Sequence, residues 1–324
     1  MNNKKYPIEL ESFDGYAEST SNRKPPSSSK YHYTTYAGLR GVIENGSLWF
    51  TDSQFLNDPE EQLYYLHRVK KLLETIINQA DLSNEASDRE SETMQNLFRV
   101  ADEFLQRPHY GALGTNEIED AIGKQRFRYY YFCLSNNRDD VALWSMYCEK
   151  HGYNLALSPY RIAKEIASID AFQGTKLYFG SVEYDVDRQD ELLKHCIDSI
   201  VREFDKHTDM FKESDQRLLV LRILFFRHFE LCRLFIKNPF HSSEKEYRLV
   251  LKACRDDRSI KNGFRDRGGI VTPYKEIETT LSPLREICVG PALEFDLAKK
   301  GVESLLWEFG EASLSIVNSE GRVR

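Results

Sequence analysis

Two glutamates separated by one residue give the clearest chemical signal in this sequence of 324 residues. Glu244 and Glu246 stand at the entry of the segment EKEYRLV, which predicts a strand. Side chains at i and i+2 of a strand face the same side, so we expect one pocket to receive both carboxylates, with Arg248 shaping its wall. Such a pair suits glycosyl chemistry, where one acid stabilises positive charge and the other activates a nucleophile. The alternative is a strand edge with solvated charges.

A second group of polar side chains lies at the start of the predicted sheet. His32 and Thr34 are two residues apart in the strand YHYT and face one side, while Tyr33 faces the other. An imidazole and a hydroxyl on one face can hydrogen-bond the hydroxyls of a sugar. The structural alternative is a capped strand start in which His32 is satisfied locally.

Aromatic side chains could supply a stacking surface. Ser135 ends the aromatic strand RYYYFCLS, and Trp144 and Tyr147 are three residues apart on the helix that follows. That spacing places the two rings on one helix face, where they could stack on nicotinamide or adenine. The alternative is that they belong to the hydrophobic core.

An acidic loop, FLNDPEE, supplies the last group. Asp58 is a natural N-cap, and Pro59 suits the first turn of the helix that follows. Capping explains Asn57 and Glu61 less well, so we assign Asn57, Asp58 and Glu61, together with Tyr33, to shaping a pocket.

The elements that must position these residues alternate between short strands and helices. Hydrophobic periodicity predicts an α+β protein with seven to nine short strands. Residues 1–30 end in a proline- and serine-rich stretch and are predicted to be a flexible leader, with order beginning at Tyr31. Residues 31–324 are predicted to form one domain with helical insertions at about 62–125 and 189–237.

Composition limits the classes of function. The sequence lacks GxGxxG, GxxxxGK[ST] and GxSxG motifs, and its six cysteines are scattered, which argues against a zinc site and a disulfide scaffold. No long apolar run or signal peptide is present, so we expect a cytoplasmic protein without a membrane span. The net charge is −7, but residues 222–268 hold 12 basic and 6 acidic residues, which could serve an anionic ligand.

Taken in order, these segments resemble a bacterial family, the domain of unknown function 2971. The resemblance rests on the YHYT strand, "G-x-LWF", "F-x-NDPEE", "FCLS…LWSMY…HG", "EKEYRLV" and "LREICVGP" with the closing "IVNSEGRVR". It covers the chain from about Tyr31 onward.

A more distant resemblance concerns activity. A histidine strand, an aromatic-x-x-Ser strand and an E-x-E strand, in this order, look like the signature of ADP-ribosyltransferases. The resemblance implies a fold of small mixed and antiparallel sheets, NAD as co-substrate, and a defence or toxin role. It implies that His32, Thr34, Ser135, Trp144 and Tyr147 contact the NAD.

The same resemblance implies roles for the two acids and an acceptor. Glu246 would be the catalytic acid at the ribose 2′-hydroxyl, and Glu244 would orient or deprotonate the acceptor. That acceptor would be a nucleic acid or a protein, bound through residues 222–268. Two alternatives stay open: a non-catalytic nucleotide-binding sensor, and a metal-dependent nuclease using Asp58, Glu61, Glu244 and Glu246.

Overall fold

The computed structural model describes residues 5–14, 24–56, 61–83, 88–106, 127–148, 150–207, 213–310 and 313–321. The described chain divides into two compact units. The first unit contains the residues up to Phe55, from Tyr129 to Ser181 and from Ser242 onward; the second contains Leu56–Arg128 and Val182–His241. Strands and helices are mixed along the chain, which confirms the predicted α+β class. The prediction of a single domain from residue 31 onward stays a prediction.

The first unit holds the strands, apart from the first two residues of β5. Their bounds are β1 Tyr6–Pro7, β2 Glu9–Ser12, β3 Lys30–Thr34, β4 Ser47–Asp52, β5 Phe127–Ser135, β6 Tyr153–Leu157, β7 Asp170–Ala171, β8 Lys176–Ser181, β9 Glu246–Cys254, β10 Lys261–Arg267, β11 Ile270–Glu278, β12 Leu284–Val289 and β13 Ser315–Asn318. Its helices are α1 Tyr36–Asn45, α4 Val141–Cys148, α5 Pro159–Ala167 and α8 Phe295–Glu308.

Strand β5 is the branch point of the main sheet. The principal strand order is β10-β11-β4-β5-β3-β6-β12-β13, and β5 also pairs with β9, which continues through β8 to β2. Most pairs are antiparallel, whereas β2–β8 and β12–β13 are parallel. Strand β3 meets β5 through a single register pair, Tyr31 with Ser135, before the two strands diverge. The ends of β3, β5 and β9 therefore meet in one region.

Local sequence explains why α1 lies between β3 and β4. Leu39 and Ile43 are one helical turn apart and are both buried in the core. Gly46 follows the helix with a φ of 55°, a left-handed conformation that glycine adopts without a Cβ penalty. This local signal ends the helix where the sequence predicted and starts β4 one residue later.

One hydrophobic core lies against the central strands. Phe50, Phe132, Leu155 and Leu249 come from four different strands, and each is at most 4% exposed. A smaller cluster contains Tyr33, Leu143, Trp144, Cys148 and Cys288 and holds α4 against the sheet.

The second unit is helical. Its helices are α2 Glu61–Ser83, α3 Asp88–Leu105, α6 Val186–His207 and α7 Ser214–Phe235. Gln189 is fully buried and donates from Nε2 to the carbonyls of Glu183 and Lys237, both at 2.8 Å. These bonds tie the start of α6 to the residues that follow α7.

The structure differs from the sequence prediction at three elements or segments. Residues 6–12, predicted to belong to a flexible leader, form β1 and β2, and β2 pairs in parallel with β8. Strand β10 and helix α5 were not predicted. The alternation in β10 is polar and glycine-containing, so it gives a weak strand signal. Helix α5 carries a clear local signal that the sequence prediction missed: Ser158 caps it, Pro159 opens it, and Ile162 and Ile166 are buried one turn apart.

Candidate functional site

Hydrogen bonds from the end of β5 hold the segment that carries the two glutamates. Ser135 Oγ donates to the Glu244 carbonyl at 2.6 Å. Asn136 donates to the Lys245 carbonyl twice, from its backbone N–H at 2.9 Å and from Nδ2 at 3.0 Å. Ser135 is buried, so its hydroxyl is a structural donor to the glutamate segment. We call residues 135–137 with 243–245 the clasp.

Backbone conformation at the clasp separates the two glutamates. Glu244 ends the short 3-10 helix Pro239–Glu244, whereas Glu246 begins β9. Lys245, between them, has a φ of 42°, a left-handed conformation that costs a non-glycine residue about 1 kcal/mol or more. The prediction that strand alternation places both carboxylates on one face is therefore wrong, because Glu244 is not in the strand.

Glu244 is buried and faces helix α4. Its side chain is 5% exposed, and the Tyr147 hydroxyl donates to Oε2 over 3.4 Å. Tyr147 is itself 37% exposed, so its ring reaches the surface beside a buried carboxylate. The structure thus brings together three predicted site residues, Ser135, Tyr147 and Glu244.

The carboxylate of Glu246 is hydrogen-bonded to Arg248. Arg248 donates from Nε to Oε1 at 3.0 Å and from Nη2 to Oε2 at 2.8 Å, and both residues are buried. The guanidinium lies over the Tyr131 ring, 5.3 Å from its centroid. A bidentate pair of this kind fixes the carboxylate in place. Arg248 therefore restrains a predicted catalytic group in addition to lining the site.

Trp144 and Tyr33 are structural. Trp144 is fully buried, packs edge-on to Tyr33 at 4.9 Å and donates from Nε1 to Asp139 at 2.6 Å. The Tyr33 hydroxyl donates to the Asn137 carbonyl and accepts from the Asp140 N–H, which fixes the start of α4. The expectation that Trp144 offers a stacking surface is wrong, since its ring is covered on all sides. Of the two predicted stacking residues, Tyr147 is the one whose ring is exposed.

Asp139 is kept ionised by its hydrogen bonds. Burial by itself would raise the pKa of this carboxyl. The Trp144 and Ser319 side chains and the N–H groups of Glu320 and Gly321 outweigh that effect and lower the pKa. The charge of Asp139 thus joins α4 to the residues that follow β13.

His32 lies at the point where β3 and β5 diverge. Its ring stacks on Phe132 at 4.6 Å, and Nδ1 lies 2.9 Å from the Cys133 carbonyl. A carbonyl only accepts, so Nδ1 carries the proton and Nε2 is an acceptor. Burial and, to a smaller extent, the Arg265 charge outweigh the hydrogen bond to the Cys133 carbonyl and lower the pKa of His32 to about 4, so the ring is neutral near pH 7.

The histidine and the glutamate–arginine pair approach β5 from opposite faces. Arg248 packs on Tyr131 and His32 packs on Phe132, and consecutive side chains of a strand alternate between faces. Thr34 lies against α1, where a Cβ added to Gly38 would fall 1.9 Å from Thr34 Oγ1. His32 and Thr34 therefore do not extend the Glu244–Tyr147 cluster.

The acidic loop contributes one residue whose placement is described. Asn57 and Asp58, which we predicted to shape a pocket, lie outside the described residues. Glu61 begins α2 in the second unit, where its carboxylate lies 3.5 Å from Lys237 Nζ. Both of these side chains are nearly buried, so Glu61 serves an ion pair of that unit.

The sequence prediction missed the two asparagines of the clasp, Asn136 and Asn137. Asn137 Nδ2 donates to the Ser243 carbonyl at 3.1 Å, next to the bonds from Ser135 and Asn136. Two consecutive asparagines directly after a strand are a local signal for side-chain bonds to backbone, and that signal could have identified them. Within the described ranges, no group of three or more histidine, cysteine or acidic side chains could hold a metal ion.

A family model covers the centre of the site. The family described as protein of unknown function (DUF2971) matches residues 143–249, about a third of the chain. Over these residues the chain is similar to the DUF2971 family. The DUF2971 segment contains Trp144, Tyr147 and both glutamates, as the sequence resemblance predicted. No curated protein and no solved structure matches the chain. None of the described helices is long and apolar enough to cross a membrane.

Proposed function

We propose that this DUF2971 protein binds NAD in an ADP-ribosyltransferase-like fold and transfers ADP-ribose to an acceptor. One observation carries the proposal: two buried carboxylates, Glu244 and Glu246, flank a strained residue that the clasp holds at a strand start. Strain kept at a defined backbone position is typical of functional sites. A buried, fixed negative charge also suits a reaction whose transition state carries positive charge on a sugar.

The chemistry assigns different tasks to the two acids. The bond between C1′ of the ribose and the nicotinamide nitrogen breaks, and its electron pair leaves with nicotinamide. An acceptor lone pair then bonds to C1′, and the acceptor proton passes to a carboxylate. Glu244, next to the surface-reaching Tyr147, takes that proton in our proposal. Glu246, fixed by Arg248, supplies negative charge opposite the developing cation.

Nicotinamide release from NAD by the full chain tests this proposal, with water as the acceptor. We expect Glu244→Gln and Glu246→Gln to lower turnover by about 100-fold or more, because each removes one carboxylate with little change of shape. Glu278→Gln, at an exposed acid ending β11, is the matched control and should keep full turnover. Thermal unfolding of each variant separates a loss of chemistry from a loss of fold. Equal turnover in all four proteins would overturn the proposal.

A second function, a nucleotide-binding sensor without turnover, is favoured by the Glu246–Arg248 pair. A carboxylate that accepts two hydrogen bonds from a buried arginine has less capacity to grip a ribose hydroxyl. Calorimetric titration with NAD distinguishes this function from transfer. Binding of NAD without nicotinamide release, in wild type and in Glu244→Gln alike, would favour the sensor.

A further inference from the structure

Strand β10 carries two arginines that have no acidic partner among the described residues. Arg265 and Arg267 are two residues apart in the strand, so their side chains share one face. Arg265 Nη2 donates to Thr51 Oγ1 at 2.9 Å, and Arg267 Nη1 donates to the Phe55 carbonyl at 2.8 Å. Both acceptors are neutral. Arg265 Nε is buried and makes no hydrogen bond to any described residue.

This arrangement is unfavourable for the protein by itself. Removing a guanidinium from water costs free energy unless an opposite charge or full hydrogen bonding replaces the solvent. Burial lowers the pKa of Arg265, and the like charge of Arg267 lowers it further. Two neighbouring cations with neutral partners gain most from a bound anion, which would satisfy the donors that remain.

The register of the sheet places the Arg265 guanidinium on the face that carries the Glu246–Arg248 pair. Thr51, which Arg265 contacts, pairs directly with Tyr131 across β4 and β5. Directly paired residues of antiparallel strands share a face, and Arg248 lies over the Tyr131 ring. The guanidinium of Arg265, which contacts β4, and that of Arg248, which lies over β5, are therefore on the same face of the sheet, although β10 and β9 are not neighbouring strands.

We propose that Arg265 and Arg267 bind the diphosphate of a nucleotide. Guanidinium groups match phosphate oxygens with paired N–H donors, and Cα atoms two residues apart in a strand are about 6.5 Å apart, which suits two linked phosphates. The identity of the nucleotide as NAD rests on the proposed function; the diphosphate site does not.

Calorimetry with inorganic pyrophosphate and with ADP, on the full chain, tests this site. Wild type should bind both ligands, and Arg265→Gln and Arg267→Gln should each weaken binding at least about tenfold, the loss expected for a charge-assisted contact of about 1.4 kcal/mol or more. Arg255→Gln is the matched control, because Arg255 is an exposed arginine just after β9. Adenosine, which has no phosphate, should bind more weakly than ADP.

Thermal unfolding without ligand supplies a second readout. Arg265→Gln should unfold at the same temperature as wild type or higher, because it removes a half-buried charge that no acid of the described residues compensates. A fall in that temperature without a change in pyrophosphate affinity would assign Arg265 a structural role and overturn the site. No pyrophosphate or ADP binding by wild type would overturn it also. Pyrophosphate binding that depends on both arginines, without nicotinamide release, would retain the site and reject the transferase.

Discussion

Glu246 is not a solvated carboxylate in the folded chain, because it is buried and hydrogen-bonded to the buried Arg248. The two side chains are 7% and 2% exposed, so each would be a buried charge without the other. Breaking a buried pair from one side costs more stability than the pair contributes, since the remaining charge loses its partner. Substitutions of Glu246 or Arg248 therefore change the stability of the fold as well as the function of the site.

We predict that Arg248→Met lowers the free energy of unfolding by about 3–5 kcal/mol, because it leaves the buried Glu246 carboxylate without its arginine. The double variant Glu246→Leu/Arg248→Met should be more stable than Arg248→Met, since both charges are absent. Urea denaturation of the two variants and wild type measures this. A double variant less stable than Arg248→Met would contradict the prediction.

The pKa of His32 gives the stability a defined pH dependence. Its value is about 4 in the folded chain, against an ordinary value of 6.5, so protonation favours the unfolded chain. The stability that neutral His32 provides is complete above pH 6.5 and is lost as the pH falls toward 4. We expect a loss of up to about 3 kcal/mol across this window. Denaturation of wild type and His32→Gln at several pH values measures it, and parallel profiles would refute the assignment.

At the scale of elements, close approach of backbones decides where strands and helices meet. Gly152 stands between α4 and β6, and a Cβ there would fall 2.3 Å from the Thr34 carbonyl and 2.4 Å from Cys148 Cβ. Gly301 lies in α8, where a Cβ would meet nothing within 4 Å. The same substitution should therefore have opposite effects at these two glycines.

We predict that Gly152→Ala destabilises the protein by about 2 kcal/mol or more, because β3 and α4 must both move away from the added Cβ. Gly301→Ala should stabilise it by up to about 1 kcal/mol, through the better helix propensity of alanine. Thermal unfolding of both variants checks the pair. Similar shifts in the same direction would be inconsistent with this packing.

At the scale of the whole molecule, the net charge of −7 opposes binding to long polyanions. Affinity for nucleic acid without sequence preference comes mainly from phosphate neutralisation by lysines and arginines. The arginines of β10 are a local site within an acidic protein, which suits a small phosphate ligand better than a long strand.

We therefore predict that a mixed-sequence single-stranded oligonucleotide binds with a dissociation constant weaker than about 10⁻⁴ M at physiological salt. Fluorescence anisotropy of a labelled oligonucleotide measures this, with ADP as a competitor. Micromolar binding that ADP does not displace would contradict the prediction and indicate a separate nucleic-acid surface.

Elements whose causes are local could be predicted from the amino-acid sequence alone. Periodic apolar residues with a glycine stop fixed α1, and runs of aromatic and aliphatic residues fixed β5 and β9. The sequence also identified the DUF2971 segment and selected Ser135, Tyr147 and Glu244, which the fold brings together. The elements were predicted from neighbours within a few positions, and the family from the order of short motifs along the chain.

Whether a chemical group is exposed, paired or strained depends on long-range packing. Ser135 and Glu244 are 109 residues apart in the chain, so no local pattern reports their hydrogen bond. The burial of Trp144, the low pKa of His32 and the pairing of Arg265 with the neutral Thr51 hydroxyl also depend on residues far away in sequence. Desolvation and partner choice are properties of the packed chain, and for this reason only the fold could separate a structural residue from a functional one.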